Sequence, residues 1–168
     1  MELLPFEMIK EISLYLKWKD NINFCRVSKF IFSVLSKERL NYFLECVRVE
    51  KGSSMDFQEK KLCRIPHVIN QLVLVKVMYF GHNKISKVPL ELCSLTNLKF
   101  LEFMSNKLKA IPPEISKLQN LTYLGLSHNK INYIPPEIGK LTNLRELWLE
   151  SNQLVSVPSE IEELIKLK

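Results

Sequence analysis

Residues 98–120 read LKFLEFMSNKLKAIPPEISKLQN, and residues 121–143 read LTYLGLSHNKINYIPPEIGKLTN. The two stretches share their leucine-like positions, a proline pair and one asparagine, so the pattern has a period of 23 residues. Four units carry the asparagine at the same slot: Asn83, Asn106, Asn129 and Asn152. A fixed period in this range is typical of solenoids, whose units bury their apolar faces only by stacking on neighbours.

The same frame extends backwards to a degenerate first unit that begins near Gly52. The asparagine slot of that unit holds Lys60, which can donate hydrogen bonds but cannot accept them. We therefore expect the first coil to lack the stabilisation that an asparagine gives. The frame divides the remainder of the chain into five units: 52–74, 75–97, 98–120, 121–143 and 144–166.

Apolar residues alternate with polar ones in each unit, as in Leu101-Glu102-Phe103. Such alternation predicts a short strand with one buried face, and strands one period apart would pair in parallel. Proline recurs at one slot and holds φ near its extended value on the return path. Glu114 and Glu137 then suit the first turn of a short helical segment, so we interpret these glutamates as structural.

The complete pattern resembles the leucine-rich repeat of the typical class, LxxLxLxxNxLxxLPxxIxxL. The resemblance covers residues 52–168 and implies an α/β solenoid with a short parallel β-sheet on its concave face. It also implies that this part of the chain binds other proteins and carries no catalytic residue.

Residues 1–51 lack the frame and read as short helices, for which Pro5, Asp20, Ser28 and Ser36 are suitable starting residues. Within them, residues 3–45 resemble an F-box in Leu4-Pro5, Glu7, Ile9, Ile12, Leu16, Asp20 and Val27-Ser28-Lys29. The tryptophan that many F-boxes carry after the Val-Ser pair is absent here. We expect an all-α F-box-like module that also caps the first repeat.

The F-box resemblance implies that the chain is the substrate-recognition subunit of an SCF-type cullin-RING ubiquitin ligase. Its first helices would bind a Skp-family adaptor, and through it a cullin, with Leu4, Pro5, Met8, Ile9, Ile12, Leu16 and Val27. Two alternatives remain open. The chain could be a stand-alone leucine-rich-repeat scaffold whose helices only cap the solenoid, or a decoy that occupies the adaptor without delivering a target.

Applying the frame to every unit places two columns of side chains on the outer face of the sheet. They are Ser54, Val77, Phe100, Tyr123 and Glu146 in one column, and Asp56, Tyr79, Glu102, Gly125 and Trp148 in the other. An aromatic surface with a polar rim is typical of a binding hot spot. The predicted target-binding residues are Tyr79, Phe100, Glu102, Tyr123, Glu146 and Trp148.

Composition favours a protein of a reducing compartment, cytoplasmic or nuclear. The four cysteines are scattered without a CxxC pair, and no histidine stands at metal-ligand spacing, so we expect no metal, cofactor or disulfide. The start MELLPFEMIK lacks the pattern of a signal peptide, and no apolar run is long enough to span a bilayer.

The net charge of +6 raises the question of a nucleic-acid partner. Part of the excess is a column of lysines after the asparagine slot: Lys61, Lys84, Lys107 and Lys130. We interpret this column as a solvated edge, because Glu102, Glu146 and Glu150 would interrupt a continuous anion-binding surface. No nucleic-acid or membrane partner is expected.

The inward edge of the last unit has nothing in the sequence to cover it. We expect a second copy of the chain, a partner protein, or Ile165 and Leu167 folding back to cover this edge.

Overall fold

The computed structural model of this protein describes residues 54–65 and 67–168. In this part of the chain, five short strands alternate with five 3₁₀ helices. The strands are β1 (Ser54–Asp56), β2 (Val77–Tyr79), β3 (Phe100–Glu102), β4 (Tyr123–Gly125) and β5 (Glu146–Trp148). The 3₁₀ helices are η1 (His67–Gln71), η2 (Leu92–Ser94), η3 (Pro113–Lys117), η4 (Pro136–Lys140) and η5 (Ser159–Glu163). The helices predicted in residues 1–51, every predicted adaptor-binding residue and Pro66 lie outside the described residues.

The five strands form one parallel sheet in sequence order. Leu101 of β3 lies beside Met78 of β2 and Leu124 of β4, so neighbouring strands are in register at the period of the sequence. The predicted parallel pairing of successive units is therefore confirmed. Backbone hydrogen bonds continue the ladder past the strands; for example, the Phe80 N–H donates to the Glu102 carbonyl at 2.8 Å.

Two columns of inward side chains build the core. The inward residue of each middle strand is almost completely buried: Met78, Leu101 and Leu124. Two positions further along the chain, the first three coils place Phe57, Phe80 and Phe103 in a stack. Their ring centroids are 5.0 and 5.1 Å apart, and adjacent rings are nearly parallel. Each coil therefore contributes the same two positions to one continuous apolar core.

The return path begins with proline in the extended conformation that the sequence predicts. Pro112 has φ −71° and ψ 145°, and Pro135 has φ −70° and ψ 144°. The next proline then opens η3 or η4, with Glu114 or Glu137 in the first turn. Each return helix lies against the next one, and Glu114 and Glu137 are half-buried.

The last coil is less buried than the coils before it. Its inward side chains are only partly covered: Leu147, Leu149, Leu154 and Ile161. The expectation that Ile165 and Leu167 fold over this edge is wrong, because the two side chains are 81% and 36% exposed. Instead, the Lys168 N–H donates to the Arg145 carbonyl at 2.9 Å, so the chain continues along the path of a further coil.

Candidate functional site

The outer face of the sheet brings the predicted target-binding residues together on four neighbouring strands. Tyr79 lies beside Glu102, and Phe100 lies beside Tyr123. Tyr123 in turn lies beside Glu146, while Trp148 lies beside Gly125. The two columns predicted from the frame are confirmed as columns of the sheet, and the binding role of these residues remains a prediction. We call Tyr79, Phe100, Tyr123 and Trp148 the aromatic face.

Three rings of the aromatic face are in contact. The Phe100 and Tyr123 rings stack with a centroid distance of 4.0 Å and an interplanar angle of 5°. The Tyr79 ring meets Phe100 at 5.0 Å with a tilt of 51°. Because the rings fix one another, little side-chain entropy remains to be lost when a partner packs on them.

Trp148 extends the aromatic face on the last strand and is 45% exposed. Its indole Nε1–H donates to Glu146 Oε2 at 3.2 Å, so this carboxylate is held at the side of the Tyr123 ring. Burial, followed by the nearby charges of Glu102 and Glu146, raises the pKa of the Tyr123 hydroxyl. The hydroxyl therefore remains a neutral hydrogen-bonding group well beyond neutral pH.

In the turn after each strand, the repeated asparagines tie each coil to the one before it. Asn106 Oδ1 accepts from the Ile85 N–H at 3.0 Å, and Asn106 Nδ2 donates to the carbonyls of Phe80 and Phe103 at 2.8 and 3.1 Å. The same pattern recurs for Asn83, Asn129 and Asn152. We call these four residues the asparagine ladder. The sequence predicts the bonds within each turn, but it does not show that the amide also reaches the preceding coil.

A second row of asparagines, missed by the sequence reasoning, joins the coils at the start of the strands. Asn97 Nδ2 donates to the Val73 carbonyl at 2.8 Å, and Asn120 repeats this bond to Thr96. Asn143 donates to Gln119 at 2.9 Å in the next coil. The signal was present, because these asparagines have the same period as the asparagine ladder.

The residue before each asparagine of the ladder has left-handed backbone geometry without being glycine. His82, Ser105, His128 and Ser151 have φ between 53° and 56°. Each of the first three still donates its N–H to the next coil, as His82 does to the Met104 carbonyl at 2.9 Å. The chain thus turns sharply after the strand, while the backbone hydrogen bonds to the next coil continue through the turn.

Among the described residues, Cys93 is a buried free cysteine. Burial, followed by the charge of Glu114, raises the pKa of the Cys93 thiol to about 12, which disfavours the reactive thiolate. No group of three metal-ligating side chains occurs within residues 54–65 and 67–168. The same part of the chain contains no helix that is long and apolar enough to cross a bilayer.

Comparison with known proteins identifies the repeats. Residues 96–154 match the family described as Leucine rich repeat. A leucine-rich-repeat protein of Leptospira interrogans shares 31% identity with a TM-score of 0.59, over 79% of this chain and 38% of that one. The plant peptide hormone receptor RGFR1, in complex with RGF2, shares 31% identity with a TM-score of 0.63, over 68% and 19%.

An internalin C2 of Listeria monocytogenes has a TM-score of 0.62 over 80% of this chain and 54% of that one; its 23% identity supports the fold alone. The chain spans less than two thirds of the length of each of these structures. No curated protein matches the sequence. The F-box resemblance of residues 3–45 lies outside the matched repeat segment. The described part of the chain has the fold of a leucine-rich-repeat solenoid, a fold that typically serves as a non-enzymatic scaffold for protein–protein interaction.

Proposed function

We infer that this chain is a protein-binding adaptor that holds a target protein on the aromatic face. Its first 51 residues would bind a Skp-family adaptor and thereby a cullin, which makes the chain the substrate-recognition subunit of an SCF-type ubiquitin ligase. The mechanism is proximity, because tethering turns the encounter of target and ubiquitin-charged enzyme into an intramolecular event. A cytoplasmic or nuclear location follows from this role.

The contiguous aromatic face is the observation that supports the target-binding half of the proposed function. Tyr79, Phe100 and Tyr123 are in ring contact, half-buried, and still open to solvent on their outer side. Trp148 is more exposed and continues the surface onto the last strand. Rigid aromatic groups within a polar rim have the composition of interface hot spots. The complex of RGFR1 with RGF2 adds the precedent of a similar repeat protein that holds a partner.

The adaptor-binding half is supported by the sequence of residues 1–51. Leu4-Pro5 and the apolar residues Ile9, Ile12 and Leu16 follow the F-box pattern. They place apolar residues on more than one face of the first predicted helix, whereas a cap for the first coil needs only one such face.

The first experiment is a titration of the purified chain with a Skp-family adaptor. We expect binding in the micromolar range or tighter, which a Leu4→Ala/Pro5→Ala variant abolishes while a Val155→Ala variant retains it. Val155 is 91% exposed in the last coil and serves as the matched apolar control. A folded wild-type chain that does not bind would rule out the ubiquitin-ligase role and leave the repeat scaffold.

The second experiment addresses the target. A partner captured by the wild-type chain should be lost from a Phe100→Ala/Tyr123→Ala variant, because the substitutions remove the stacked pair at the centre of the aromatic face. The Val155→Ala control should retain that partner. If the partner persists on the aromatic variant, it binds elsewhere, and the aromatic face is not the target site.

A stand-alone scaffold is the second candidate, and one observation favours it. Met55 and Phe57 of the first coil are only partly buried among the described residues. The preceding residues could therefore serve the solenoid alone, because a terminal repeat needs a cover. Failure of the adaptor titration combined with success of the target experiment would select this candidate.

A further inference from the structure

Glu102 lies at the centre of the outer sheet face in space that two glycines provide. A Cβ built on Gly125 would lie 3.1 Å from Glu102 Cγ, and a Cβ built on Gly81 would lie 3.0 Å from Glu102 Oε1. Neither glycine has a positive φ, so the backbone conformation does not require glycine at these positions. The missing side chains make room for the Glu102 side chain, which therefore lies low across the sheet.

The Glu102 carboxylate has no described partner. Within residues 54–65 and 67–168, no hydrogen bond or ion pair reaches its oxygens, although the residue is half-buried beside Tyr79 of β2 and close to Tyr123 of β4. Burial raises its pKa, an effect that nearby His82 opposes and Asp56 adds to. Because a partly desolvated carboxylate that makes no ion pair is unfavourable, a cation supplied from outside would gain more here than at an open surface.

Tyr123 provides a flat surface beside this carboxylate. Its ring is stacked on Phe100, and its Cε1 approaches within 3.0 Å of the Cβ position of Gly125, so the ring leans over β4 towards Glu102. Glu146 lies on the other side of Tyr123 and is held by the Trp148 indole. One aromatic ring is thus flanked by two carboxylates.

We propose that the aromatic face binds an extended partner segment that places one arginine over the Tyr123 ring, between Glu102 and Glu146. Apolar side chains on either side of that arginine would pack on Tyr79 and Trp148. A guanidinium suits this site because it stacks on an aromatic ring and donates in-plane hydrogen bonds to carboxylates. The inference rests on the target-binding half of the proposed function and adds the chemistry of the bound segment.

The surrounding charges limit the number of cations in that segment. Exposed basic residues border the face at both ends of the strands: Lys76, Lys99 and Arg145 before them, and Lys84, Lys107 and Lys130 after them. A polybasic segment would meet these cations, whereas one central arginine meets the carboxylates alone. The partner should therefore carry a single arginine flanked by apolar or acidic residues.

The test begins with a phage library of random linear peptides selected on the full-length chain. Peptides that compete with one another and fail to bind a Phe100→Ala variant define binders of the aromatic face. The tightest of them is then synthesised with its arginine and with citrulline, an uncharged isostere. Both versions are titrated against the wild-type chain, a Glu102→Gln variant and a Glu114→Gln control from η3.

We expect the selected binders to contain one arginine, and we expect citrulline to weaken binding to the wild-type chain about tenfold. Against Glu102→Gln, the advantage of the arginine peptide over the citrulline peptide should shrink to the part that Glu146 and the Tyr123 ring provide, because the cycle isolates the coupling between Glu102 and the guanidinium. Glu114→Gln should behave as the wild type.

Two other outcomes would each overturn the proposal in a different way. Additive losses from citrulline and Glu102→Gln, or binders without a basic residue, would exclude the arginine site while the target-binding function stands. If no selected peptide depends on Phe100, the aromatic face does not bind extended segments, and both the inference and the target-binding half of the proposed function fail.

Discussion

The third and fifth coils are built on the same frame, yet they differ in how much of it is buried. Leu101 is fully buried in β3, whereas Leu147 at the same slot of β5 is only partly covered. Asn106 is 8% exposed, and Asn152 is more open to solvent. The sequence of a unit thus determines its geometry, and its neighbours determine how much free energy that geometry contributes.

The hydrogen bonds of the asparagine ladder sharpen this comparison, because Asn106 and Asn152 make the same ones to the preceding coil. Asn152 Oδ1 accepts from Ile131 at 3.0 Å, and its Nδ2 donates to the Leu126 carbonyl at 2.9 Å, which matches the pattern of Asn106. Near the solvent, however, water competes for the same donors and acceptors. Equal contacts should therefore have unequal energies, which mutation can test.

The largest contrast should come from truncating the inward leucine. Leu124→Ala in the fourth coil should lower the free energy of unfolding by about 3 kcal/mol, since the residue is 1% exposed and the cavity cannot collapse easily. Leu147→Ala should cost about 1 kcal/mol, because less area is lost and solvent already reaches the site. Urea denaturation followed by circular dichroism measures both. Equal losses would show that the last coil is covered in solution.

The asparagine ladder should give the next largest difference. Asn106→Ala leaves the Ile85 N–H without its partner in the buried interior and removes one of the two amide donors to the Phe80 carbonyl, which keeps its bond from Asn83; we expect a cost of about 2 kcal/mol. Asn152→Ala should cost about 1 kcal/mol, because water can replace the lost bonds. Both values come from the same denaturation experiment.

An Asn106→Asp variant separates the two halves of the amide. It retains an acceptor for the Ile85 N–H but loses the donors to the carbonyls, so we expect it to be no more stable than Asn106→Ala. A variant as stable as the wild type would contradict the role assigned to the donors.

The repeat frame predicts backbone features well, because the same residue pattern occurs in every unit. The outward placement of Phe100 and Glu102 and the extended Pro112 follow from the alternation and from the proline ring. Each follows from a local rule that holds in every coil. The burial of a given coil is less predictable, since Leu101 and Leu147 occupy equivalent slots in the sequence.

Features that depend on side-chain reach could not be predicted in the same way. Asn97 and Asn106 both form hydrogen bonds to the preceding coil. The repeat frame alone does not give the distance between side chains and backbone atoms of neighbouring coils. The position of Glu102 is a further case, because it depends on the space left by Gly81 and Gly125 on two different strands. Residues 1–51 follow no repeat, so their prediction rests on resemblance alone.

Relieving backbone strain should change the free energy of unfolding less than the substitutions above. Unlike the effects of burial, this change should be equal in the third and fifth coils. Ser105→Gly and Ser151→Gly should each raise the free energy of unfolding by about 0.5 kcal/mol, because both serines have φ near 54°. Ser86→Gly, at an exposed position without positive φ, is the control and should be neutral or slightly destabilising. Thermal melts of the three variants provide the comparison. A gain at Ser105 alone would mean that the last coil relaxes its turn in solution.

The smallest effect concerns the two carboxylates of the aromatic face. Burial raises the folded-state pKa of Glu102 above its unfolded value, so ionisation of this carboxyl opposes folding. Glu102→Gln should therefore stabilise the chain at neutral pH, by no more than about 0.5 kcal/mol for a partly exposed side chain. Below the unfolded-state pKa, near pH 3, Glu102 is protonated in both states and the advantage should vanish.

Glu146→Gln on the exposed last strand is the matched control for that comparison. Its amide oxygen can still accept from the Trp148 indole, so we expect little change in stability. Calorimetry measures the melting temperatures of the Glu102→Gln and Glu146→Gln variants at neutral and acidic pH, for comparison with the wild type. A stabilised Glu102→Gln variant would mean that the chain retains an unpaired charge at a cost to its own fold. Such a cost is expected where a partner supplies the opposite charge. An unchanged or destabilised variant would instead assign Glu102 an ordinary structural role.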